Sequence, residues 1–375
     1  MSKIYDAVIV GGGIIGCSLA FQLAKRGLRV VVLEKERIAN EASSAAAGML
    51  GAQSEFSGDS PMIPLVLQSR EMFSELAAEL KELTGMDIGF IQKGLVKLAF
   101  TKRELNELRQ QYQFWQMRDA NVRWLTAKEL CELEPNVTEE IAGAMYIPND
   151  GQVEAADLSH ALAKAAAIYG AELREYTEVC SFLLENDQVC GVVTNSGTIY
   201  SNTVVVAAGV WSAHLLRQTG IELPMYPVKG ECFSVITEQP LLQATMFAKN
   251  GCYIVPKRGN RLLIGATSTP NTFNKHASVQ GVYCLLERAQ QIMPKIAEAK
   301  WEKVWAGIRP QTGDGWPYIG EHPHYRGLWV ATGHYRNGIL LSPITGVLLA
   351  DLITVGKADI DISSFSLVRK TKVIT

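Results

Sequence analysis

Asp6-Ala-Val-Ile-Val-Gly-Gly-Gly-Ile-Ile-Gly16 is a short apolar strand that runs into a glycine-rich turn, and Val30-Val-Val-Leu-Glu34 is a second apolar strand that ends in an acid. The glycines have the spacing of a dinucleotide-binding turn. Gly11 allows the tight turn, Gly13 lets the backbone approach a pyrophosphate, and Gly16 lets the following helix pack on the strand. The pattern predicts a βαβ unit that binds a nucleotide.

The charges at the two ends of this unit favour an adenine dinucleotide. The helix N-terminus offers free backbone N–H groups and about half a positive charge to phosphates. Glu34 stands where a carboxylate accepts hydrogen bonds from the ribose diol. The pattern by itself leaves FAD and NAD open, so a nicotinamide-dependent dehydrogenase remains an alternative at this point.

Length and composition restrict the class of protein. The 375 residues allow two or more domains, and 47% hydrophobic with 20% charged residues is typical of a soluble globular protein. A net charge of −2 gives no electrostatic reason to expect nucleic acid or a membrane surface as partner. Seven scattered cysteines without CxxC spacing indicate reduced thiols and no metal site.

Two further features predict a cytoplasmic location. The first strand is expected to start at about Ile4, which leaves no room for a signal peptide in front of it. The apolar stretch from Gly338 to Ile353 is interrupted by Ser342, Pro343 and Asp351, and we interpret it as too short to span a bilayer.

Apolar periodicity outlines the elements between these ends. It predicts a small-residue helix at Ser43–Gly48, helices within 60–84 and 102–117, a strand at Lys97–Phe100, a β-meander from Val179 to Ala207 and a hairpin near Lys257–Asn260. We therefore expect a nucleotide-binding domain formed by 1–84, 150–222 and 301–375. A β-rich substrate domain is expected to be formed by 85–149 and 223–300.

The segment Gly333–Gly346 bears on the choice of cofactor. Ser342-Pro343 is predicted to cap and start a helix that runs to about Ile353. A second helix N-terminus beside glycine-rich backbone suits the electron-rich edge of a reduced flavin, which favours FAD over NAD. The alternative is an ordinary capped C-terminal helix.

Several segments along the chain carry a family resemblance. The chain resembles the D-amino-acid oxidase/sarcosine oxidase (DAO) group of FAD-dependent oxidoreductases, and within it the glycine oxidase branch of thiamine biosynthesis. The segments are Gly11–Gly16, Ser43–Ala52, Val228-Lys-Gly-Glu-Cys232, Cys252-Tyr-Ile-Val-Pro256, Trp305-Ala-Gly-Ile-Arg-Pro310 and Gly333-His-Tyr-Arg-Asn-Gly-Ile-Leu340. The resemblance implies an α/β (α+β) fold in which a Rossmann-like FAD-binding domain is interleaved with the β-rich substrate domain.

The resemblance also implies which residues border FAD. They are Gly11, Gly13, Ile14, Ile15, Gly16, Glu34, Lys35, Ser43, Ser44, Ala47, Gly48, Met49, Val179, Ala208, Gly209, Trp211, Arg309, His334, Tyr335, Arg336, Asn337, Gly338, Ile339 and Leu340. Relatives that attach the flavin covalently use a cysteine in the segment that corresponds to 306–312. None is present in this segment, so FAD is expected to be noncovalent.

For the substrate, the resemblance implies that Arg309 clamps an amino-acid carboxylate, that Tyr253 adds a hydroxyl bond, and that Arg336 and Met49 form other walls. Arginine suits this role, because its planar fork binds a carboxylate through two parallel hydrogen bonds. The alternative for either arginine is a structural ion pair with a carboxylate such as Asp314. Tyr253 and Met49 have the alternative of simple core packing.

Two positions depart from the pattern of the branch. Gly251 stands where a histidine is expected, and Ser268 stands where a methionine is expected. Both changes make a roomier or more polar pocket. They leave the preference among glycine, sarcosine, D-alanine and D-proline open.

The implied reaction is oxidative deamination of a small amino acid with O2 as acceptor, which yields glyoxylate from glycine, ammonia and hydrogen peroxide. No side chain stands out as an acid or base catalyst. The resemblance further implies a homo-oligomer, a tetramer. Two alternatives remain, namely a quinone-linked amino-acid dehydrogenase and a flavin-binding module of a tRNA-modifying system.

Overall fold

The computed structural model describes residues 5–369. Ile4, where the first strand is predicted to start, lies outside the described residues, and the observed strand begins at Ala7. The strands are β1 (Ala7–Val10), β2 (Val30–Leu33), β3 (Leu95–Ala99), β4 (Arg123–Leu125), β5 (Gly143–Ile147), β6 (Glu172–Arg174), β7 (Val179–Glu185), β8 (Gln188–Thr194), β9 (Gly197–Tyr200), β10 (Val204–Val206), β11 (Met225–Ile236), β12 (Thr245–Ala248), β13 (Tyr253–Lys257), β14 (Arg261–Gly265), β15 (Thr269–Pro270), β16 (Lys300–Thr312), β17 (Tyr318–Glu321) and β18 (Leu328–Thr332).

Two helices, at 62–71 and 73–84, occupy the predicted helical segment 60–84, and a third, at 102–116, occupies 102–117. The helix predicted at Ser43–Gly48 is shorter than expected and spans 42–45. The α-helices are α1 (Ile14–Lys25), α2 (Ala42–Ala45), α3 (Met62–Glu71), α4 (Phe73–Thr84), α5 (Lys102–Gln116), α6 (Ala127–Leu133), α7 (Ala155–Ile168), α8 (Ser212–Leu216), α9 (Val279–Ile292) and α10 (Gly338–Val355).

The first of the two large β-sheets has six strands in the order β17-β18-β10-β1-β2-β6. All neighbours are parallel except β17 and β18. The valine-rich strands β1, β2 and β10 are buried on both faces, as parallel strands usually are. Helices including α1, α7 and α10 cover one face, and the antiparallel meander β7-β8-β9 covers the other. The predicted βαβ unit, meander and α/β class are confirmed.

The glycine turn allows the close approach of β1, α1 and β10. Gly11 has φ +109°, and a Cβ there would lie 2.6 Å from the carbonyl oxygen of Ala207, the residue that follows β10. A Cβ on Gly16 would overlap the carbonyl oxygen of Gly11. Both positions therefore need glycine for packing.

The second large β-sheet has nine strands. Eight follow the order β15-β11-β14-β13-β12-β3-β5-β4, and the ninth, β16, pairs with β11. The long antiparallel pair joins Met225–Ile236 to Lys300–Thr312. The division into domains stays a prediction. If the sheets define the domains, residues 300–312 belong with the nine-stranded sheet and not with 301–375.

The last helix corrects one prediction. Ser342 and Pro343 do not start α10, because the helix begins at Gly338 and both residues lie buried inside it. Pro343 has no N–H for the carbonyl of Ile339, but the Ser342 hydroxyl donates to that carbonyl oxygen at 2.9 Å. The serine thus satisfies the group that the proline leaves unpaired.

Within residues 5–369, one helix passes the length and composition test for a membrane span. This is α10, with 18 residues and a mean hydropathy of 1.9. Of this helix, 61% is buried inside the fold, where α10 packs on α1 in the helical layer. The test is equally met by the core helix of a folded domain.

Candidate active site

A cavity of about 450 Å³ lies at the carboxyl ends of β1, β2, β10 and β18. We call it the first cavity. Strand β1 lies between β2 and β10, so the strand order reverses here, which is where ligands bind in open α/β sheets. Sixteen of the residues predicted to hold the cofactor line it: Gly11, Gly13, Ile14, Ile15, Glu34, Lys35, Ser43, Val179, Ala208, Gly209, Trp211, His334, Tyr335, Arg336, Gly338 and Ile339.

The N-terminus of α1 opens into the first cavity. Gly13 is its N-cap and supplies no side chain, and a Cβ there would lie 3.3 Å from the hydroxyl oxygen of Ser43. The Ser43 hydroxyl accepts from the backbone N–H of Ile14 at 2.9 Å, which leaves its own proton for an anion. This backbone cradle fits a pyrophosphate.

The carboxylate of Glu34 is fixed by backbone N–H groups. It accepts from Gly12 at 2.8 Å and from Glu36 at 3.0 Å, and its exposed fraction is 9%. Each carboxylate oxygen keeps a lone pair. Because Glu34 also lines the first cavity, it is held ready to accept from a ribose diol.

Trp211 borders the first cavity near Glu34. The ammonium of Lys35 lies 3.7 Å above the Trp211 ring, and Phe273 packs against the ring with a centroid distance of 5.8 Å. Lys275 pairs with Glu41, another residue of the cavity wall, at 2.8 Å. The segment around 273–275 therefore connects the nine-stranded sheet to this cavity.

His334 is a buried histidine of the same wall. Its Nε2 lies 3.2 Å from the Thr345 hydroxyl, and burial lowers the pKa of His334 to about 3. The imidazole is therefore neutral near pH 7.

A second cavity of about 560 Å³ adjoins the first. The two share Tyr335, Arg336 and Ile339 in their walls, so the cavities meet at these residues. All four residues predicted to bind substrate line the second cavity: Met49, Tyr253, Arg309 and Arg336. The predicted cofactor residues Ala47, Gly48 and Asn337 also lie there and not in the first cavity.

Arg309 is a cation of the second cavity that has no acidic partner among the described residues. Within the described part of the chain, no carboxylate lies within 4.0 Å of its guanidinium. Its Nη1 donates to the carbonyl oxygen of Thr267 at 3.2 Å. Asp314, the alternative partner, is paired with Arg369 at 2.7 Å. The guanidinium therefore remains available for an anionic ligand.

Arg336 differs from Arg309 in this respect. Its Nη1 lies 3.7 Å from the Glu55 carboxylate, and the side chains are 40% and 27% exposed. The alternative of a structural ion pair thus applies to Arg336, and its partner is Glu55 and not Asp314. Sequence reasoning missed Glu55, because its loop meets the 333–340 segment only in the folded chain.

Tyr253 is 8% exposed, and its hydroxyl lies 3.6 Å from the Cys232 thiol at the cavity wall. Burial raises the pKa of Tyr253 well above its usual value, with a smaller contribution from Cys232. Burial also raises the pKa of Cys232. A Cβ at Gly265 would lie 2.5 Å from the tyrosine hydroxyl oxygen, so glycine there makes room for it.

Three predicted cofactor residues line neither cavity. Gly16 lies behind the turn and acts through packing. The Ser44 hydroxyl donates to the carbonyl of Ala39, and Leu340 is 1% exposed.

Sequence reasoning also missed the buried pair Lys229–Glu231 beside the second cavity, joined at 2.9 Å. The alternation Lys-Gly-Glu on a strand was the signal that could have revealed it.

The comparisons with known proteins agree with this geometry. Glycine oxidase of Geobacillus kaustophilus is 56% identical over 371 residues, which cover 98% of each chain. A crystal structure of glycine oxidase from Geobacillus kaustophilus has a TM-score of 0.97 and 55% identity, and covers 99% of this chain and 100% of that one. The bifunctional protein ThiO/ThiG of Synechocystis sp. is 36% identical, over 98% of this chain and 54% of its own length. The family of FAD dependent oxidoreductases (DAO) matches residues 6–352, and the chain belongs to this family.

Proposed function

We propose that this enzyme oxidises glycine and other small amino acids, and that its FAD is bound noncovalently across the first cavity. The observation that carries the substrate class is Arg309, a cation without an acidic partner in a cavity that adjoins the nucleotide site. The glycine oxidases of high identity support the reaction.

The residues present fit FAD. The backbone cradle at Gly13 and Ile14 suits the pyrophosphate, and the fixed carboxylate of Glu34 suits the ribose. When bound, FAD supplies the acceptor for a hydride from the substrate and passes the electrons to O2, which becomes hydrogen peroxide. The protein's task is to place the substrate in the second cavity.

Arg309 and Tyr253 perform this placement. A guanidinium bonds a carboxylate through two parallel N–H groups, and a bond to a charged group contributes about 1.5–3 kcal/mol. The Tyr253 hydroxyl keeps its proton, because burial raises its pKa, so it donates a hydrogen bond to the same carboxylate. Fixing the carboxylate orients the Cα–H bond for transfer.

No base is needed if the amine enters neutral, and among the described residues that line the cavity no acidic side chain is without a cation partner. Tyr253 and Cys232 have raised pKa values and stay protonated, while Glu55 and Glu231 are paired with cations. Arg309 and Tyr253 thus act by binding and orientation.

We place the reaction in thiamine biosynthesis, in the cytoplasm, with a homotetramer as the active form. The family resemblance motivates all three, and the similarity to the bifunctional protein ThiO/ThiG supports the first. Light scattering of the purified enzyme measures the assembly, and a monomer would contradict the tetramer.

A peroxidase-coupled assay with glycine, sarcosine, D-alanine and D-proline tests the proposal. We expect peroxide with at least one of them, and Arg309→Ala should lose most of kcat/KM while the protein stays yellow. Arg103→Ala removes a side chain of α5 that is 89% exposed and paired with Glu107; it is the matched control and should behave like the parent. Absence of peroxide with all four would refute the oxidase, and unchanged kcat/KM in Arg309→Ala would refute the carboxylate clamp.

A further inference from the structure

Glu231 of β11 is a buried carboxylate beside the second cavity, with an exposed fraction of 2%. One oxygen accepts from the ammonium of Lys229 at 2.9 Å and from the backbone N–H of Ser278 at 2.7 Å. The other accepts from the hydroxyl of Thr267 at 2.9 Å. Nothing in the proposed reaction uses this carboxylate directly.

The surroundings keep Glu231 ionised. Burial raises the pKa of Glu231, but the hydrogen bonds from Lys229, Ser278 and Thr267 together lower it by more than burial raises it. The pKa of Glu231 therefore lies below its usual value. Ser278 is also the N-cap of α9, whose positive end faces the carboxylate. Lys229 balances the charge of Glu231, so the pair does not neutralise the Arg309 guanidinium.

Glu231 and Thr267 are joined by three hydrogen bonds. Besides the bond to the carboxylate, the Thr267 hydroxyl accepts from the backbone N–H of Glu231 at 2.9 Å, and the Thr267 N–H donates to the Glu231 carbonyl at 3.2 Å. Residues 268–270, which follow, are exposed. Glu231, together with the pairing of Thr269 and Pro270 with β11, therefore fixes the backbone at Thr267.

The carbonyl oxygen of Thr267 accepts from Nη1 of Arg309 at 3.2 Å. We propose that Glu231 is a positioning residue that aims the Arg309 guanidinium at the substrate carboxylate through Thr267. This inference rests on the proposed function. It adds a residue that sets the orientation of the one that binds the substrate carboxylate.

The expected effect follows from the size of one hydrogen bond. An arginine without an acidic partner has many rotamers, and a fixed acceptor on one nitrogen reduces the entropy lost when substrate binds. Loss of one such bond, about 0.5–1.5 kcal/mol, corresponds to about a two- to twelvefold change in affinity. The effect should appear in substrate binding more than in turnover.

Thr267→Val and Thr267→Ser in the holoenzyme make the first test. Valine removes the hydroxyl, so we expect KM for the best substrate to rise about two- to twelvefold, with a smaller change in kcat. The Kd for acetate, a plain carboxylate measured by the change in flavin absorbance, should rise by the same factor. Serine keeps the hydroxyl and should restore both values. Thr354→Val, which removes a hydroxyl bonded within α10, is the unrelated control.

The double variant Lys229→Met/Glu231→Met removes the acceptor of the Thr267 hydroxyl without leaving a buried cation unpaired. We expect the same rise in KM as in Thr267→Val, and no further rise when the changes are combined. An unchanged KM and acetate Kd in Thr267→Val, with a large effect of Arg309→Ala, would overturn this inference alone. If Arg309→Ala itself leaves both values unchanged, the proposed function fails instead.

Discussion

The guanidinium of Arg309 lies against the backbone of Gly230 on the neighbouring strand β11, with no room for a Cβ atom between them. Arg309 pairs with Val228 in the strand register, so its side chain crosses diagonally to reach residue 230. The glycine thus lets the cation lie flat on the sheet at the wall of the second cavity.

Gly230→Ala should therefore displace the Arg309 guanidinium. The obstructed atoms are the flexible end of a side chain, so we expect little loss of stability but a rise in KM of about tenfold, from a misplaced charge-assisted bond. Steady-state kinetics with glycine measure this, and flavin absorbance measures the retained FAD. Gly58→Ala is the matched control, because nothing lies within 4 Å of a Cβ there. Equal KM values in the two variants would contradict the clamp.

The size of the second cavity leads to a prediction about selectivity. Gly251 and Ser268, the two departures from the branch pattern, both lie in its wall, and no atom lies within 4 Å of a Cβ on Gly251. Ser268→Met should fill part of this space. We expect kcat/KM for D-proline to fall by a larger factor than kcat/KM for glycine, because the ring needs the room.

The ratio of the two kcat/KM values is the measurement, and Ser268→Ala, which adds no volume, is its control. A ratio that stays constant in Ser268→Met would show that this wall does not contact the substrate.

The sequence predicted the local parts of the site well. The turn at 11–16 and Glu34 belong to one βαβ unit, whose geometry is set by glycine spacing and apolar runs within a short stretch of chain. The lining of the first cavity by these residues follows from that unit. The substrate-binding roles of Arg309 and Tyr253, in contrast, were inferred from the family resemblance.

Long-range pairing was beyond sequence reasoning. Nothing in the residues 300–312 indicates that β16 pairs with β11, about 75 residues earlier, because apolar alternation gives a strand but not its partner. The Arg336–Glu55 and Glu231–Thr267 contacts are unpredictable for the same reason. Ser342-Pro343 misled because this pair is typical of a helix start, whereas here a serine hydroxyl makes an interior proline tolerable.

The lowered pKa of the buried Lys257 should make the free energy of unfolding depend on pH. Its ammonium is buried and donates to the Val153 carbonyl at 2.7 Å, and burial lowers the pKa of Lys257 from 10.5 to about 8. Between pH 8 and 10.5 the unfolded chain holds this proton and the folded chain releases it, so this residue's contribution to the free energy of unfolding rises with pH.

Lys257→Met removes this contribution. We expect the free energy of unfolding of the variant minus that of the parent to fall as the pH rises from 8 to 10.5, by about 1.4 kcal/mol per unit of pKa shift at most. Urea unfolding at saturating FAD measures the difference at each pH. A difference that does not change with pH would contradict the lowered pKa of Lys257.

The Ser342 hydroxyl and Pro343 should be energetically coupled through the carbonyl of Ile339. Ser342→Ala leaves that buried carbonyl oxygen without a donor, which should cost about 1–3 kcal/mol of stability. In a Pro343→Ala background, the new backbone N–H at 343 reaches the same carbonyl as in any helix. There Ser342→Ala should cost much less.

A double-mutant cycle of the two changes measures this coupling by urea unfolding at saturating FAD. We expect a coupling free energy of about 0.5–3 kcal/mol, with the double variant more stable than the sum of the single changes predicts. The helix itself supplies the reason, since only one donor is needed for each carbonyl and the two residues offer alternative ones. Additive costs would mean that the Ser342 hydroxyl acts on something other than the carbonyl that Pro343 leaves free.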